Sequence, residues 1–113
     1  MIIEDNVYEG MTFDEYLGKP LPKIIYEEGM YDRTVSVYSG GKIFAATGLR
    51  SGWAIGSAKI IASVRGVHQY NVFCYYNLLE NAVAKSLEVI SSEGNTYIVD
   101  YAKKCDSLRG KLV

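Results

Sequence analysis

The 113-residue sequence is short of the residue types that mark specialised small proteins. It has two cysteines, Cys74 and Cys105, too few for the disulfide scaffold of a small secreted domain. With no signal sequence ahead of them, they read as two buried thiols in a reducing compartment. His68 is the one histidine, and no Cys or His pair has zinc spacing, so no structural metal is expected. Neither sign of charge is in excess: twelve Lys and Arg stand against thirteen Asp and Glu, and the pI is near 5.8. The basic footprint of a nucleic-acid binder is missing. No run approaches the roughly twenty apolar residues of a membrane span. The opening residues, Met1-Ile2-Ile3-Glu4-Asp5, form neither a signal peptide nor an Arg-rich transit segment. They read as the tail of a buried strand, and the expectation drawn from them is a truncated chain.

What is present fits one incomplete α/β domain, with no internal repeat and no linker. Met1–Ile3 reads as a strand leaving a core. Residues 9–23, with Gly10, Gly18, Pro20 and Pro22, read as loop with at most one helical turn. Residues 33–38 alternate, with Val35 and Val37 on one face, and give the clearest strand. A glycine-rich turn, Ser39-Gly40-Gly41-Lys42, follows. Small residues then run to Gly56, with Trp53-Ala54-Ile55 as another short strand. From Ser57 the period becomes helical. Ala58, Ile61, Val64 and His68 share one face; after a break at 70–74, so do Leu79, Val83, Leu87 and Ile90. Gly94 is a natural helix stop and Asn95 a natural N-cap. A last helix aligns Ile98, Tyr101, Cys105, Leu108 and Leu112.

Lys42, just after the clearest strand, is the residue around which chemistry gathers. Gly41-Lys42 is followed by Ile43 and position 36 is Ser, so the phosphate-binding P-loop pattern fails at both ends. Gly48, Gly52 and Gly56 do not have dinucleotide-fingerprint spacing. On generic grounds Lys42 is a solvated turn lysine. Yet a lysine that forms a Schiff base needs small neighbours so that a planar cofactor can approach. A phosphate held nearby needs hydroxyls, turn amides and a guanidinium fork. Ser39 and Arg50 flank Lys42 and supply such groups.

The stretch Tyr38-Ser39-Gly40-Gly41-Lys42-Ile43-Phe44-Ala45-Ala46-Thr47-Gly48-Leu49-Arg50-Ser51-Gly52-Trp53 closely resembles the cofactor-lysine motif of class-I aminotransferases. These are pyridoxal 5′-phosphate (PLP) enzymes of fold type I. The resemblance is nearest to the kynurenine aminotransferases, also known as glutamine transaminase K and cysteine-conjugate β-lyase. Asp5-Asn6-Val7-Tyr8 is similar to that family's Asp-Glu-Val-Tyr, and Gly29-Met30-Tyr31-Asp32-Arg33-Thr34 to its Gly-Met-Trp-Glu-Arg-Thr. Val67-His68-Gln69, Val72-Phe73 and Ala82-Val83-Ala84 follow in collinear order. The resemblance implies a partial large domain of a fold-type-I PLP transferase, with strands of a mostly parallel sheet followed by helices. Residues 1–94 would be the C-terminal part of that PLP-binding domain. Residues 95–113 would begin a connector helix toward a small domain.

The same resemblance implies roles. Lys42 would be the Schiff-base lysine and proton shuttle. Asp5 would pair with the pyridinium nitrogen, Tyr8 would donate to the ring's phenolic oxygen, and Ser39 and Arg50 would hold the phosphate. Phe73 would reach the substrate site of the neighbouring subunit in a homodimer. Without the motif, Asp5 reads as a solvated strand end, and Tyr8 and Phe73 as core aromatics. His68 reads as a packed or hydrogen-bonded helix residue. The implied reaction moves an amino group from a kynurenine-, glutamine- or aromatic-type amino acid to a 2-oxo acid, with aspartate- or alanine-type donors as an alternative. The implied location is cytoplasmic, or mitochondrial where an upstream targeting segment is missing. No nucleic-acid or membrane partner is expected.

The sequence departs from the family pattern at several places. Ile43 replaces the Thr after the lysine, Arg50 keeps the later positive charge, and Cys74-Tyr75-Tyr76-Asn77-Leu78 replaces His-Cys-Pro-Thr-Gln. The family's first phosphate loop, the aromatic stacked on the pyridine and the carboxylate-binding arginine fall outside these residues. The isolated chain is therefore expected to bind cofactor weakly or not at all and to be inactive. The rival reading is a catalytically inactive remnant that serves as a structural or dimer-partner module.

Overall fold

Thr34–Ser39 forms the central strand, because its β-branched and aromatic residues suit a pleated surface covered on both sides. In the computed structural model, which describes residues 1–74 and 76–112, this strand is β2. It lies between β1 (Ile2–Asp5) and β3 (Gly52–Gly56) in a three-stranded sheet. β1 runs parallel to β2, with Ile3 opposite Val35 and Asp5 opposite Val37. β3 runs antiparallel, with Ser39 opposite Gly52. The sheet of this chain is thus mixed, parallel on one side of β2 and antiparallel on the other. The alternation expected of β2 is only half the pattern. Val35 is buried, and so are Thr34 and Ser36 on the opposite face, both fully. On that face the Ser36 hydroxyl donates to the Glu4 carboxylate across the parallel pair, which satisfies its buried polar group.

The glycine-rich stretch after β2 closes into a single helical turn, α1 (Gly40–Ile43), rather than an open turn. Three longer helices follow: α2 (Ala58–Val72), α3 (Asn77–Ile90) and α4 (Tyr97–Arg109). The periodic face of α3, Leu79, Val83, Leu87 and Ile90, is its half-buried face. α2 differs from expectation: only Ile60 and Ile61 are half-buried, and Val64 and His68 are exposed. The helix meets the sheet by its first turn alone. Beyond it an apolar groove of about 700 Å³ opens between α2 and the β1 side of the sheet, lined by Ile3, Val35, Ile60 and Val64 among others.

The α3–α4 link contains Gly94 in the left-handed region, and the Asn95 side chain accepts from the Tyr97 N–H, although the N-cap position itself falls on Thr96, one residue later than expected. α4 buries Ala102 completely and half-buries Ile98, Tyr101 and Cys105, whereas Leu108 and Leu112 are exposed. It docks on the 10–18 loop, where Gly10 and Gly18 adopt positive φ. A Cβ on Gly10 would lie 2.4 Å from Ile98 Cγ2, so a bare backbone is required there. Arg109 closes the dock, donating to Asp14 at 2.7 Å and lying over the Phe13 ring. The two cysteines are free, but neither is buried as expected. Cys74 is exposed in the α2–α3 link, and Cys105 is half-buried on α4.

Candidate active site

Because β1 and β2 are parallel, both leave the sheet at the same end, where α/β proteins collect binding groups. Asp5 is the last residue of β1. The next residue, Asn6, donates its N–H to the Val37 carbonyl at 2.8 Å and keeps the chain on β2 for one more step. The Asp5 carboxylate then accepts from the Val7 N–H at 3.2 Å, and the Glu9 N–H donates to the Asn6 carbonyl at 3.1 Å. This folds the chain into a turn that carries Tyr8. On the other strand, Ser39 ends β2 and α1 begins at once, placing Lys42 on its third residue. The Lys42 Nζ lies 5.6 Å from the centroid of the Tyr8 ring, a cation–π contact across the two strand ends.

The surroundings of Lys42 are built from close backbone approaches. A Cβ on Gly41 would sit 3.1 Å from Thr47 Cα, and one on Gly52 would sit 2.7 Å from the Tyr38 carbonyl oxygen. The Phe44 N–H closes α1 on the Gly40 carbonyl at 3.0 Å. Ala45 then enters the left-handed region at φ 51°, a costly conformation for a residue with a Cβ, and turns the chain back. Arg50 adopts φ 51° as well, and its guanidinium donates to the Thr47 carbonyl at 3.3 Å while the side chain remains exposed. Ser51 accepts from the Gly40 N–H at 3.0 Å, which brings the Arg50–Ser51 step beside Ser39. Ile43, where the family pattern has a threonine, is buried in the small core with Ile25, Val35 and Tyr38.

Of the residues singled out from sequence, Asp5, Tyr8, Ser39, Lys42 and Arg50 fall at one end of the sheet. Tyr8 is 59% exposed, so it is not a core tyrosine. Phe73 is apart from them. It follows α2 as its C-cap in a strained γ-turn (φ 67°, ψ −62°) and is 85% exposed, which removes core packing as its role. His68, expected to be packed, is exposed on α2, because the helix has left the sheet by that point. Tyr75, in the run after Phe73 that departs from the family pattern, lies outside the described residues.

Sequence reasoning passed over Glu4. Its position on the inward face of β1 was the available signal. Burial pushes its carboxyl up, but hydrogen bonds from the Ser36 hydroxyl and the Ile24 N–H outweigh this and hold it below the usual carboxylate value. Glu4 thereby ties the 24–26 turn to both strands beneath the site.

The donor set suits an aldehyde cofactor that carries a ring nitrogen and a phosphate. It offers an amine on a turn of small residues, a carboxylate, a phenol, a hydroxyl and a guanidinium, all at one sheet end. Comparison with known proteins agrees with that chemistry. A model of the family "Aminotransferase class I and II" matches residues 1–113. The chain is 40% identical over 87 residues to a kynurenine–oxoglutarate transaminase of Dictyostelium discoideum, covering 77% of this chain and 19% of that protein. It is 32% identical over 114 residues to human kynurenine–oxoglutarate transaminase 1, covering 98% of this chain and 26% of that protein. Among solved structures, N-succinyldiaminopimelate aminotransferase from Mycobacterium tuberculosis superposes with a TM-score of 0.83 at 32% identity, over 97% of this chain and 27% of that one. The chain therefore spans about a fifth to a quarter of the length of these relatives.

Proposed function

Since the chain belongs to the class I and II aminotransferase family, whose members are pyridoxal 5′-phosphate enzymes, we propose that it supplies the cofactor-lysine segment of such an enzyme. The observation that carries this is the meeting of the Lys42 Nζ and the Tyr8 ring, 5.6 Å apart, at the common end of parallel β1 and β2. When bound, pyridoxal 5′-phosphate supplies an electron sink for negative charge at the α-carbon of an amino acid. Lys42 is the amine that attaches the group and moves the proton at that α-carbon. The Asp5 carboxylate offers its negative charge to a protonated ring nitrogen. The Tyr8 hydroxyl donates to the ring oxygen and its ring shields the lysine. Ser39 and Arg50 would hold the phosphate, the hydroxyl as a donor and the guanidinium as the positive charge. The exposed Phe73 fits a residue offered to a second subunit of a homodimer. The proposed donor is a kynurenine-, glutamine- or aromatic-type amino acid and the acceptor a 2-oxo acid, in line with relatives named kynurenine–oxoglutarate transaminase.

The test is titration of the chain with pyridoxal 5′-phosphate, followed by visible absorbance, borohydride trapping and peptide mass analysis. The expected outcome is weak, saturable binding with the trapped label concentrated on Lys42 and lost in Lys42→Ala. Label spread evenly over Lys59, Lys85 and the other exposed lysines would overturn the assignment. The large exposed apolar surface favours a second reading, an inactive remnant that acts as a structural or dimer-partner module. A folded chain that takes up no label at Lys42 would select that reading.

A further inference from the structure

Glu9 directly follows Tyr8, and its carboxylate accepts a hydrogen bond from the Lys23 Nζ at 2.9 Å. The Lys23 side chain is 11% exposed, unlike the Lys85–Glu88 pair, whose members are 76% and 66% exposed. Exposed pairs of that kind contribute little, whereas burying a long cation has a cost that only good partners offset. Lys23 has three. Besides Glu9, its Nζ lies 6.0 Å from the Tyr26 ring centroid and 5.9 Å from that of Tyr38. Burial pushes the Lys23 amine down, but Glu9 outweighs it and holds the amine above its usual value, so it stays charged. Tyr38 in turn is fixed in β2: it stacks on Trp53 of β3 with centroids 5.7 Å apart and planes at 7°. It immediately precedes Ser39 and the Lys42 turn. One half-buried cation therefore joins the turn that carries Tyr8 to the strand that leads into the Lys42 turn.

We propose that Lys23 is a positioning residue: through Glu9 on one side and Tyr38 on the other, it locks the Tyr8 ring over the Lys42 amine. Its importance for chemistry rests on the reading of Lys42 as the reacting amine, but the positioning itself can be measured without cofactor. Tyr8 lies on an exposed turn whose local hydrogen bonds fix the backbone at Asn6 and Glu9 and leave the ring without a rigid wall. Asn6 ties the start of that turn to β2 through its backbone, and the Lys23–Glu9 bridge is the side-chain tie at its far end.

The experiment measures how fast Lys42 of the full chain is acylated by a small N-hydroxysuccinimide ester, read by peptide mass analysis against Lys59 and Lys85. A ring held 5.6 Å from the amine covers one side of it and blocks the approach of the ester. Lys23→Met and Glu9→Gln are each expected to raise the Lys42 rate about two- to fivefold, the population ratio of an exposed cation–π contact. Tyr8→Leu should do the same. Neither change should add to the effect of Tyr8→Leu in a double variant, because all act through one ring. Lys23→Arg should restore most of the protection. Additive effects, or an unchanged Lys42 rate in Glu9→Gln, would overturn the proposal. Glu9→Gln preserves every apolar contact, so it decides the matter even if Lys23→Met unfolds. Failure of Lys42 to take up pyridoxal 5′-phosphate with these rates as expected would sink the cofactor reading and leave the positioning intact.

Discussion

Gly52 has no room for a side chain. A Cβ there would stand 2.7 Å from the Tyr38 carbonyl oxygen, inside any real contact distance, and the obstacle is backbone rather than a movable side chain. The residue sits where β3 leaves the site and faces Ser39. Gly52→Ala must therefore part the two strands at the Ser39 end of the candidate site. We expect a loss of about 1–3 kcal/mol, the usual cost of forcing atoms into filled space, read from urea denaturation. Gly48 is the control. It has ordinary φ and open space around it, so Gly48→Ala should stay within about 0.5 kcal/mol of the parent. Equal losses at the two positions would mean that the Gly52 contact relaxes freely. At this scale the sequence was informative where residues belong to a motif, even when, as with Asp5 and Tyr8, the motif lies far along the chain from Lys42. Ser39, Lys42 and Arg50 lie within one continuous stretch, and their placement could be read. Lys23 and Glu9 are fourteen apart in an irregular loop, and no period or motif links them.

The elements divide along the same line. α3 was legible because its half-buried face repeats with the helical period, and a face of that kind needs no knowledge of its partner. α2 was legible as a helix but not in its burial, since periodicity names an apolar face without saying whether anything covers it. The antiparallel return of β3 was hidden too, because Trp53-Ala54-Ile55 carries no mark of direction. The docking of α4 depends on contacts between residues nearly a chain length apart, Asp14 with Arg109 and Gly10 with Ile98. Those contacts make a prediction at this scale. Gly10→Ala would place a Cβ 2.4 Å from Ile98 Cγ2, at a φ of 76° that disfavours any side chain. It should lift α4 from the 10–18 loop while leaving the sheet paired. Native-state hydrogen exchange is expected to show faster exchange in Tyr97–Arg109 and unchanged protection in β2. Equal acceleration in both would mean that α4 and the sheet open as one unit.

For the whole molecule, surface arithmetic decides what the elements cannot. The chain exposes 8319 Å², against about 6,200 Å² expected of a compact protein of its mass. Its radius of gyration is 15.8 Å, against about 13 Å for a compact globule of this length. Much of the excess is apolar: Met1 and Phe73 are 86% and 85% exposed, and Val67 and Ile3 are 61% and 67% exposed. Ile3 also belongs to β1, which among the described residues has a partner strand on one side only. An open strand edge beside an apolar groove is a template for association. The 113-residue chain on its own should therefore bind a hydrophobic dye in its folded state and gain apparent mass with concentration in sedimentation. Ile3→Lys combined with Val67→Glu places charges at the strand edge and the groove wall. That pair should lower both dye binding and apparent mass without loss of helical signal. A parent chain that stays monomeric and dye-free at high concentration would show that the exposed face is covered from within. The excess area would then reflect an extended outline rather than an open core.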